Sequence, residues 1–300
     1  MSLNNILIIG AGGNLGPCIL SALDKDPHFS VSVLSRQSST SVFPPHIKVH
    51  RITDDYPEDK LLEVFHGQDA VISTIATANT TQQLALIDAA VKAGVKHFVP
   101  SEFGTDTRNE KGLAIFSQRF QAKVDVVKYL KTREKDGLTW SAFVTGPFFD
   151  LAIQKGFMGY NFKEQKAVIF NDGKGRWSTT TLSSIGLAVK NALLIPEKTA
   201  NRYLFINSFT VSQSQVLASL EQLTGSKWDV ARVVAEELKA MGLAKISKGD
   251  LSGAILLTRY IVTTEGHGGD FALHEETANE LLSLPKEDLD EALSAIVKRE

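Results

Sequence analysis

The chain has 300 residues, of which 43% are hydrophobic and 22% are charged, and its formal net charge is −2. These values are ordinary for a globular protein and give no case for binding nucleic acid or an anionic membrane surface. The single cysteine excludes an internal disulfide, and the apolar runs are too short for a transmembrane helix. The first ten residues contain no basic residue, so we expect no targeting peptide and a cytoplasmic protein.

The first predicted elements are a strand and a helix that flank a glycine-rich turn. Ile6 to Ile9 are consecutive apolar residues, and the amphipathic run from Pro17 to Leu23 predicts the helix. Such a turn presents backbone N–H groups to an anion at a helix N-terminus, although many glycine-rich turns bind no ligand. We assign the pyrophosphate of a dinucleotide to the turn residues Gly10, Gly12, Gly13, Asn14, Leu15 and Gly16.

The second predicted strand, from Val31 to Ser35, ends about twenty residues after the turn, where an NAD site usually has Asp or Glu for the ribose 2′-hydroxyl. This chain has Ser35 and Arg36 there, and no acidic residue from Pro27 to Thr53. The Arg36 guanidinium can donate to a 2′-phosphate, so the sequence favours NADP(H) over NAD(H). The alternative is an ordinary solvated arginine.

The first half of the chain continues as a regular alternation of strands and helices. Strands are expected near 47–52, 70–74, 97–100 and 139–145, and helices near 54–65, 81–91 and 116–133. This alternation predicts an α/β fold of the Rossmann type, with a doubly wound parallel sheet and ligands at the carboxyl ends of its strands.

The pattern changes after Pro147, where aromatic residues crowd between glycines. We expect residues 1–147 to form the dinucleotide-binding domain, with return segments near 178–223. A strand at 203–206 and a helix at 212–223 are expected to return to the main sheet, and the chain from about Trp228 is expected to be helical. Residues 148–300 would form mainly a smaller, mixed α/β substrate-binding lobe.

Lys123 is the candidate for acid–base chemistry. At helical spacing it shares a face with Phe116, Phe120 and Val127, and it follows the fifth strand by about twenty residues. Desolvation on such a face beside a cofactor would lower the pKa of the lysine and make it a usable acid or base. A lysine that snorkels from a half-buried helix fits the same spacing equally well.

The tyrosine that short-chain dehydrogenases usually place four residues before this lysine is missing. Arg119 stands at that position. One tyrosine–lysine pair with the right spacing does occur, from Tyr56 to Lys60, but it follows the third strand and contains Pro57, so we interpret it as a chance match. Catalysis would therefore depend on the lysine or on groups of the substrate.

The sequence resembles the isoflavone reductase and phenylcoumaran benzylic ether reductase group of the NmrA-like atypical short-chain dehydrogenases. The resemblance covers nearly the whole chain and rests on the glycine turn, Arg36, Asp69 to Thr74, Lys92 to Gly104 and Ala122 to Val124. The segment from Pro100 to Gly104, with a lysine about twenty residues later, is its most specific part. The resemblance implies an NADPH-dependent reductase of small aromatic, often phenolic, molecules.

The resemblance also implies roles for individual residues. Lys123 would be the catalytic lysine, either as a general acid/base or as a group that positions the nicotinamide. Thr74 and Ile75 would lie near the adenosine. The residues implied near the nicotinamide are Ser101, Glu102 and Phe103.

Two departures from the family pattern concern the cofactor site. Gly12 stands where plant members usually carry threonine. A second basic residue often follows the arginine in the family, whereas Gln37 to Thr40 offer neutral groups alone. One charge is then left for the 2′-phosphate, which moderates the preference for NADP(H).

A substrate pocket is expected among apolar residues near the start of the second lobe. Apolar walls suit an aromatic or enone substrate, although each residue could equally belong to an ordinary core. His267 could orient a phenol, or be a solvated loop histidine. The predicted pocket residues are Phe103, Phe148, Phe149, Phe157, Met158 and His267, and we assign no metal ligand.

Three functions remain open at this point. The leading hypothesis is an NADPH-dependent reductase that uses Lys123 and acts on a small aromatic or conjugated substrate. The alternative is a non-catalytic NmrA-like regulator that senses NADP and binds a protein partner. A sugar-nucleotide epimerase is disfavoured by the missing tyrosine. The assembly, monomer or homodimer, is left open.

Overall fold

The computed structural model describes residues 2–75 and 80–298. Within the second range, Gln118 is described by its backbone alone. Over these residues, seven strands pair in parallel to form the main sheet. Their spatial order is β10 (Arg202–Phe205), β6 (Thr139–Val144), β5 (His97–Val99), β4 (Ala70–Ser73), β1 (Asn5–Ile9), β2 (Ser30–Arg36) and β3 (Lys48–Ile52). The order reverses between β4 and β1, and open α/β sheets bind ligands at such a reversal.

The central strands of the sheet are buried on both faces, and β1 is apolar from Ile6 to Ile9. In β1, Ile6 and Ile8 point to one face while Leu7 and Ile9 point to the other, and all four are fully buried. The first face is covered by α1 (Gly16–Asp24) and α7 (Leu182–Leu194). The second face is covered by α2 (Glu58–Phe65), α3 (Thr80–Lys92) and α5 (Ser117–Arg133).

A second lobe contains two small sheets. Its strands are β7 (Tyr160–Asn161), β8 (Lys166–Phe170) and β12 (Asp229–Val233) in one sheet, and β9 (Arg176–Thr179) and β11 (Phe209–Ser212) in the other. The remaining helices are α4 (Glu110–Ile115), α6 (Phe149–Gln154), α8 (Pro196–Thr199), α9 (Gln213–Thr224), α10 (Ala235–Ser247), α11 (Gly253–Thr263) and α12 (Leu289–Val297), with 3₁₀ turns at Glu134–Asp136 and Phe271–Leu273.

The predicted α/β fold with a parallel Rossmann-type sheet is confirmed. The strand expected to return to this sheet is β10, whereas α9 packs in the second lobe through Val216 and Leu220. The segment after Trp228 begins with a strand, β12, where a helix was expected. β12 pairs with β8 at a sheet edge and its side chains are mostly exposed, so it lacks the apolar pattern that would predict it. None of the helices described here is long and apolar enough to cross a lipid bilayer.

Candidate functional site

The glycine turn lies between β1 and α1, at the carboxyl edge of the sheet. Gly13 N donates to Gly10 O at 3.0 Å, and Gly10 has a φ of 84°, which favours glycine. A Cβ on Gly16 would lie 2.4 Å from Ala11 Cα, so α1 approaches the turn closely because residue 16 has no side chain. Leu15 points into the core of the sheet instead. The turn thus has the compact backbone that a pyrophosphate site needs.

A cavity of about 290 Å³ adjoins the turn beside β2. Thr74 Oγ1 donates to Ile9 O at 2.9 Å and joins the ends of β4 and β1 at its base. The structure thereby brings Ser35, Arg36 and Thr74 together with the glycine turn. The cavity is lined by Gly10, Ala11, Gly12, Gly13, Leu34, Ser35, Arg36, Ser39, Ser41, Tyr56, Thr74, Ile75 and Gln82.

Arg36 lies at the rim of this cavity, with 56% of its side chain exposed. Its Nη1 is 3.7 Å from Asp54 Oδ2. The Asp54 carboxylate also accepts hydrogen bonds from the backbone and side chain of Ser38, and these bonds hold the pKa of Asp54 below its ordinary value. The rim therefore offers a guanidinium together with a carboxylate that the sequence analysis did not foresee.

Arg51 fixes the loop that follows Arg36. Its guanidinium donates to Ser39 O at 2.8 Å and to Ser41 O at 3.1 Å. A Cβ on Gly12 would lie 2.1 Å from Ser41 Oγ, so the loop reaches the turn because residue 12 has no side chain. A threonine at position 12 would collide with this loop, which accounts for the glycine found there.

A larger cavity, of about 420 Å³, lies where the main sheet meets the second lobe. Asn14 lines it, so this cavity begins at the glycine turn. Three predicted pocket residues, Phe103, Phe148 and Phe157, form its apolar walls, and the Phe103 ring stacks on Phe143 at 5.7 Å. The full lining is Asn14, Phe103, Gly104, Thr105, Arg119, Phe120, Lys123, Gly146, Pro147, Phe148, Leu151, Ala152, Lys155, Phe157 and Thr258.

Lys123 lies in the wall of this larger cavity with 7% of its surface exposed, so it is desolvated rather than snorkelling. Its Nζ donates to the main-chain oxygens of Glu102 and, at 3.2 Å, of Phe103. Burial lowers the pKa of Lys123, the positive charge of Arg119 lowers it further, and the Glu102 carboxyl acts in the opposite direction. The lysine is thus fixed in position, and it loses its proton at a lower pH than an ordinary lysine does.

Glu102 lies behind Lys123 and does not line either of these cavities. Its carboxyl accepts a hydrogen bond from Thr107 Oγ1, and burial raises its pKa to about 7, against the effect of the Lys123 charge. The Ser101 side chain is likewise bonded within the protein, because its Oγ donates to Ile75 O at 2.7 Å. Of the three residues assigned to the nicotinamide, Phe103 alone has its side chain in the larger cavity.

Phe149, Met158 and His267 do not line the larger cavity. Phe149 and Met158 are buried in the core of the second lobe, where Phe149 packs on Phe209 with ring centroids 4.8 Å apart. The His267 ring packs edge-on against Tyr260 at 5.4 Å. Phe149 and Met158 are apolar, as expected for a pocket, but they are buried in the core, and the half-buried His267 lies against Tyr260.

Sequence reasoning missed several lining residues. Tyr56 lines the smaller cavity, although its tyrosine–lysine spacing is a chance match. Arg119 and Lys155 line the larger cavity. Arg119 could have been found, because it lies one helical turn before Lys123 and so shares its face, whereas Lys155 follows α6 with no pattern to mark it.

The sequence of the chain is similar to a known protein family and to known enzymes. A family model described as the NmrA-like family matches residues 2–251. The chain is 52% identical over 293 residues to oxidoreductase aprR of Aspergillus flavus, with 98% of each chain covered. It is 28% identical over 251 residues to phenylcoumaran benzylic ether reductase Betv6 of Betula pendula, covering 78% of this chain and 79% of the relative.

The fold is also similar to that of solved structures. A structure of AtPrR2 with NADP⁺ and (+)-pinoresinol superposes with a TM-score of 0.78 at 22% identity, covering 99% of both chains. At this identity the similarity establishes the fold.

Proposed function

The chain belongs to the NmrA-like family, and on that premise we propose that it is an NADPH-dependent reductase of small aromatic or conjugated molecules. The observation that carries the proposal is the position of Lys123, which is buried in the wall of an apolar cavity that begins at the glycine turn. We further propose that residues 148–300 supply mainly the substrate side, since Phe148, Leu151 and Phe157 line that cavity.

The residues of the smaller cavity fit NADP(H). Gly10 and Gly16 leave no room for a Cβ, so the turn is compact enough for backbone N–H groups to reach a pyrophosphate. Arg36 and the neighbouring serines would hold a 2′-phosphate, and Thr74 and Ile75 would contact the adenosine. The related structure that contains NADP⁺ supports the same cofactor.

Bound NADPH supplies a hydride, and the chain supplies the proton. A protonated lysine has three N–H donors, and Lys123 uses two of them on the oxygens of Glu102 and Phe103. The third remains for an oxygen of the substrate. When an electron-poor carbon accepts the hydride, negative charge develops on the conjugated oxygen, and that oxygen takes the proton from Nζ. The lowered pKa of Lys123 favours this transfer.

The test is the Lys123→Ala variant. We expect it to bind NADPH as the wild type does and to lose at least about 100-fold in kcat, because proton transfer by a positioned group contributes this much. Oxidation of NADPH is followed by absorbance with a panel of aromatic enones and phenolic ethers. Lys128→Ala, an exposed lysine on the same helix, is the matched control and should leave kcat unchanged.

Two results would contradict the proposal. Undiminished turnover by Lys123→Ala would remove the lysine from the chemistry. A wild-type protein that binds NADPH but oxidises it with no member of the panel would favour the dinucleotide-sensing regulator instead.

A further inference from the structure

The lining of the larger cavity is positively charged. Among the described residues that form it are three cations, Arg119, Lys123 and Lys155, and no Asp or Glu. The chain as a whole has 32 basic and 34 acidic residues, so its composition does not explain this bias. The same lining contains apolar residues, and the cavity of about 420 Å³ is large enough for a small aromatic molecule.

Arg119 has no acceptor among the residues that the structure describes. Within the described part of the chain, its guanidinium makes neither a hydrogen bond nor an ion pair, and partial burial lowers its pKa. It lies in the first turn of α5, where a helix favours anions rather than cations, and that turn contains no acidic residue. Arg119 is an exposed residue, so its guanidinium is open to a ligand, and the first turn of the helix supplies no negative partner for it.

Arg259, in α11, provides a contrast with Arg119. Its guanidinium donates to Phe157 O and, at 2.9 Å, to Gly156 O, so it holds the cavity wall and has its acceptors in the protein. The Nζ of Lys155, by contrast, has no hydrogen bond or ion pair among the residues described. Arg119 and Lys155 are therefore the two cations of the lining that are free to meet a ligand.

The neighbouring acids are already engaged. Glu102 lies behind Lys123 and accepts from Thr107, while Asp150 accepts from Leu182 N at 2.7 Å. Neither points into the cavity. The Glu102 carboxyl offsets part of the charge of Lys123, whereas the described lining contains no acid to offset Arg119 and Lys155, so an anion in the cavity would meet a net positive charge.

We propose that the substrate is an organic anion, with an aromatic or conjugated body held by Phe148 and Phe157 and an anionic oxygen group, of which a carboxylate is the simplest, held by Arg119 and Lys155. The inference rests on the proposed reductase function and narrows its substrate class. A planar guanidinium can bind a carboxylate through two parallel hydrogen bonds. The bound charge would also offset the repulsion between Arg119 and Lys123, which keeps Lys123 protonated for its transfer.

The experiment compares two probes with the same aromatic body, one an anion and the other its neutral ester, which is one methyl group larger. NADP⁺ is first titrated into the full chain, and trans-cinnamate and methyl trans-cinnamate are then titrated into the NADP⁺-loaded protein by calorimetry. We expect cinnamate to bind at least about tenfold more tightly than the ester, because hydrogen bonds to charged groups contribute on this scale. Added salt should weaken the binding of cinnamate and leave the affinity for the ester unchanged.

Variants identify the residues responsible. Arg119→Gln and Lys155→Gln should each reduce the preference for cinnamate severalfold while the affinity for NADP⁺ stays the same. Lys198→Gln, in α8 before the amino end of β10, removes the same charge far from the cavity and should behave as the wild type.

Each other outcome is decisive. Failure of NADP⁺ to bind would contradict the reductase proposal and this inference with it. With NADP⁺ bound, equal affinities for the two probes, tighter binding of the ester, or no binding of cinnamate at millimolar concentration would overturn the inference alone. If Arg119→Gln loses affinity for NADP⁺ and keeps the preference for cinnamate, Arg119 belongs to the cofactor site. That result would also overturn the inference.

Discussion

On the proposed assignment of Arg36 to the 2′-phosphate, Arg36 and Asp54 together would set the preference between NADP(H) and NAD(H). The sequence from Pro27 to Thr53 is free of acids, which favours a 2′-phosphate, but β3 returns the chain so that Asp54 stands beside Arg36. The carboxylate occupies space next to the guanidinium that a phosphate would need. It is therefore a competitor for the same charge.

We expect Arg36→Gln to weaken NADPH binding by about 10- to 100-fold, because a charge-assisted hydrogen bond to the phosphate is lost. The affinity for NADH, which has no 2′-phosphate, should remain the same and serves as the control. Asp54→Asn should tighten NADPH binding, since it removes the competing charge. Fluorescence titration with both nucleotides measures these changes, and an equal loss for NADPH and NADH in Arg36→Gln would assign Arg36 a structural role.

At the scale of elements, the chain crosses from the main sheet to the second lobe at the end of β6. Thr145 N and Gly146 N both donate to Gly104 O, at 3.0 and 2.8 Å, which joins the ends of β5 and β6 at the floor of the larger cavity. Gly146 has a φ of 63°, and a Cβ on it would lie 2.0 Å from Ser178 O. The close approach of β9 thus depends on the absence of a side chain at residue 146.

Gly146→Ala should lower the free energy of unfolding by at least about 2 kcal/mol, through the backbone collision and the strained φ together. Gly137→Ala is the matched control: its φ is 86°, but a Cβ there would have open space, so it should cost about 1 kcal/mol. Urea denaturation of both variants separates the collision from the strain. Equal losses would mean that the segment around Ser178 moves aside without cost.

At the scale of the molecule, the sequence predicts the main sheet well and the second lobe poorly. The β1 run from Ile6 to Ile9 is apolar at every position because both faces are covered, and this signal is visible without a structure. In the second lobe, Phe149 and Phe157 look alike in sequence, yet one is core and the other is cavity wall. That difference depends on tertiary packing, which local pattern does not encode.

The residues of the candidate site also differ in how well the sequence predicts them. The glycine turn, Arg36 and Lys123 follow from spacing and from the resemblance, since they lie at strand ends or on a regular helix. Asp54 and Lys155 do not, because each reaches its cavity from a segment that is distant in the sequence. The positive charge of the larger cavity can be recognised only in the folded structure, where residues from both lobes line the same space.

His97 makes the stability of the whole molecule depend on pH. It lies at the start of β5, 1% exposed, with Nδ1 2.8 Å from Thr139 Oγ1. The Thr139 hydroxyl donates to Lys96 O, so Nδ1 carries the proton of a neutral imidazole and donates to Thr139. Burial lowers the pKa of His97 from 6.5 to about 4.

Well above pH 6.5 the imidazole is neutral in both the folded and the unfolded chain, and it adds no pH dependence. As the pH falls from there to about 4, the unfolded chain binds a proton that the folded chain does not, so the free energy of unfolding decreases by about 3 kcal/mol. His97→Gln cannot gain this charge, and its stability should fall less over the same range. Urea denaturation at several pH values compares the two slopes, and the Asp69–Lys96 ion pair, present in both proteins, contributes equally to each. Parallel slopes for the wild type and the variant would mean that the folded protein accepts a charged imidazole in β5 without loss of stability.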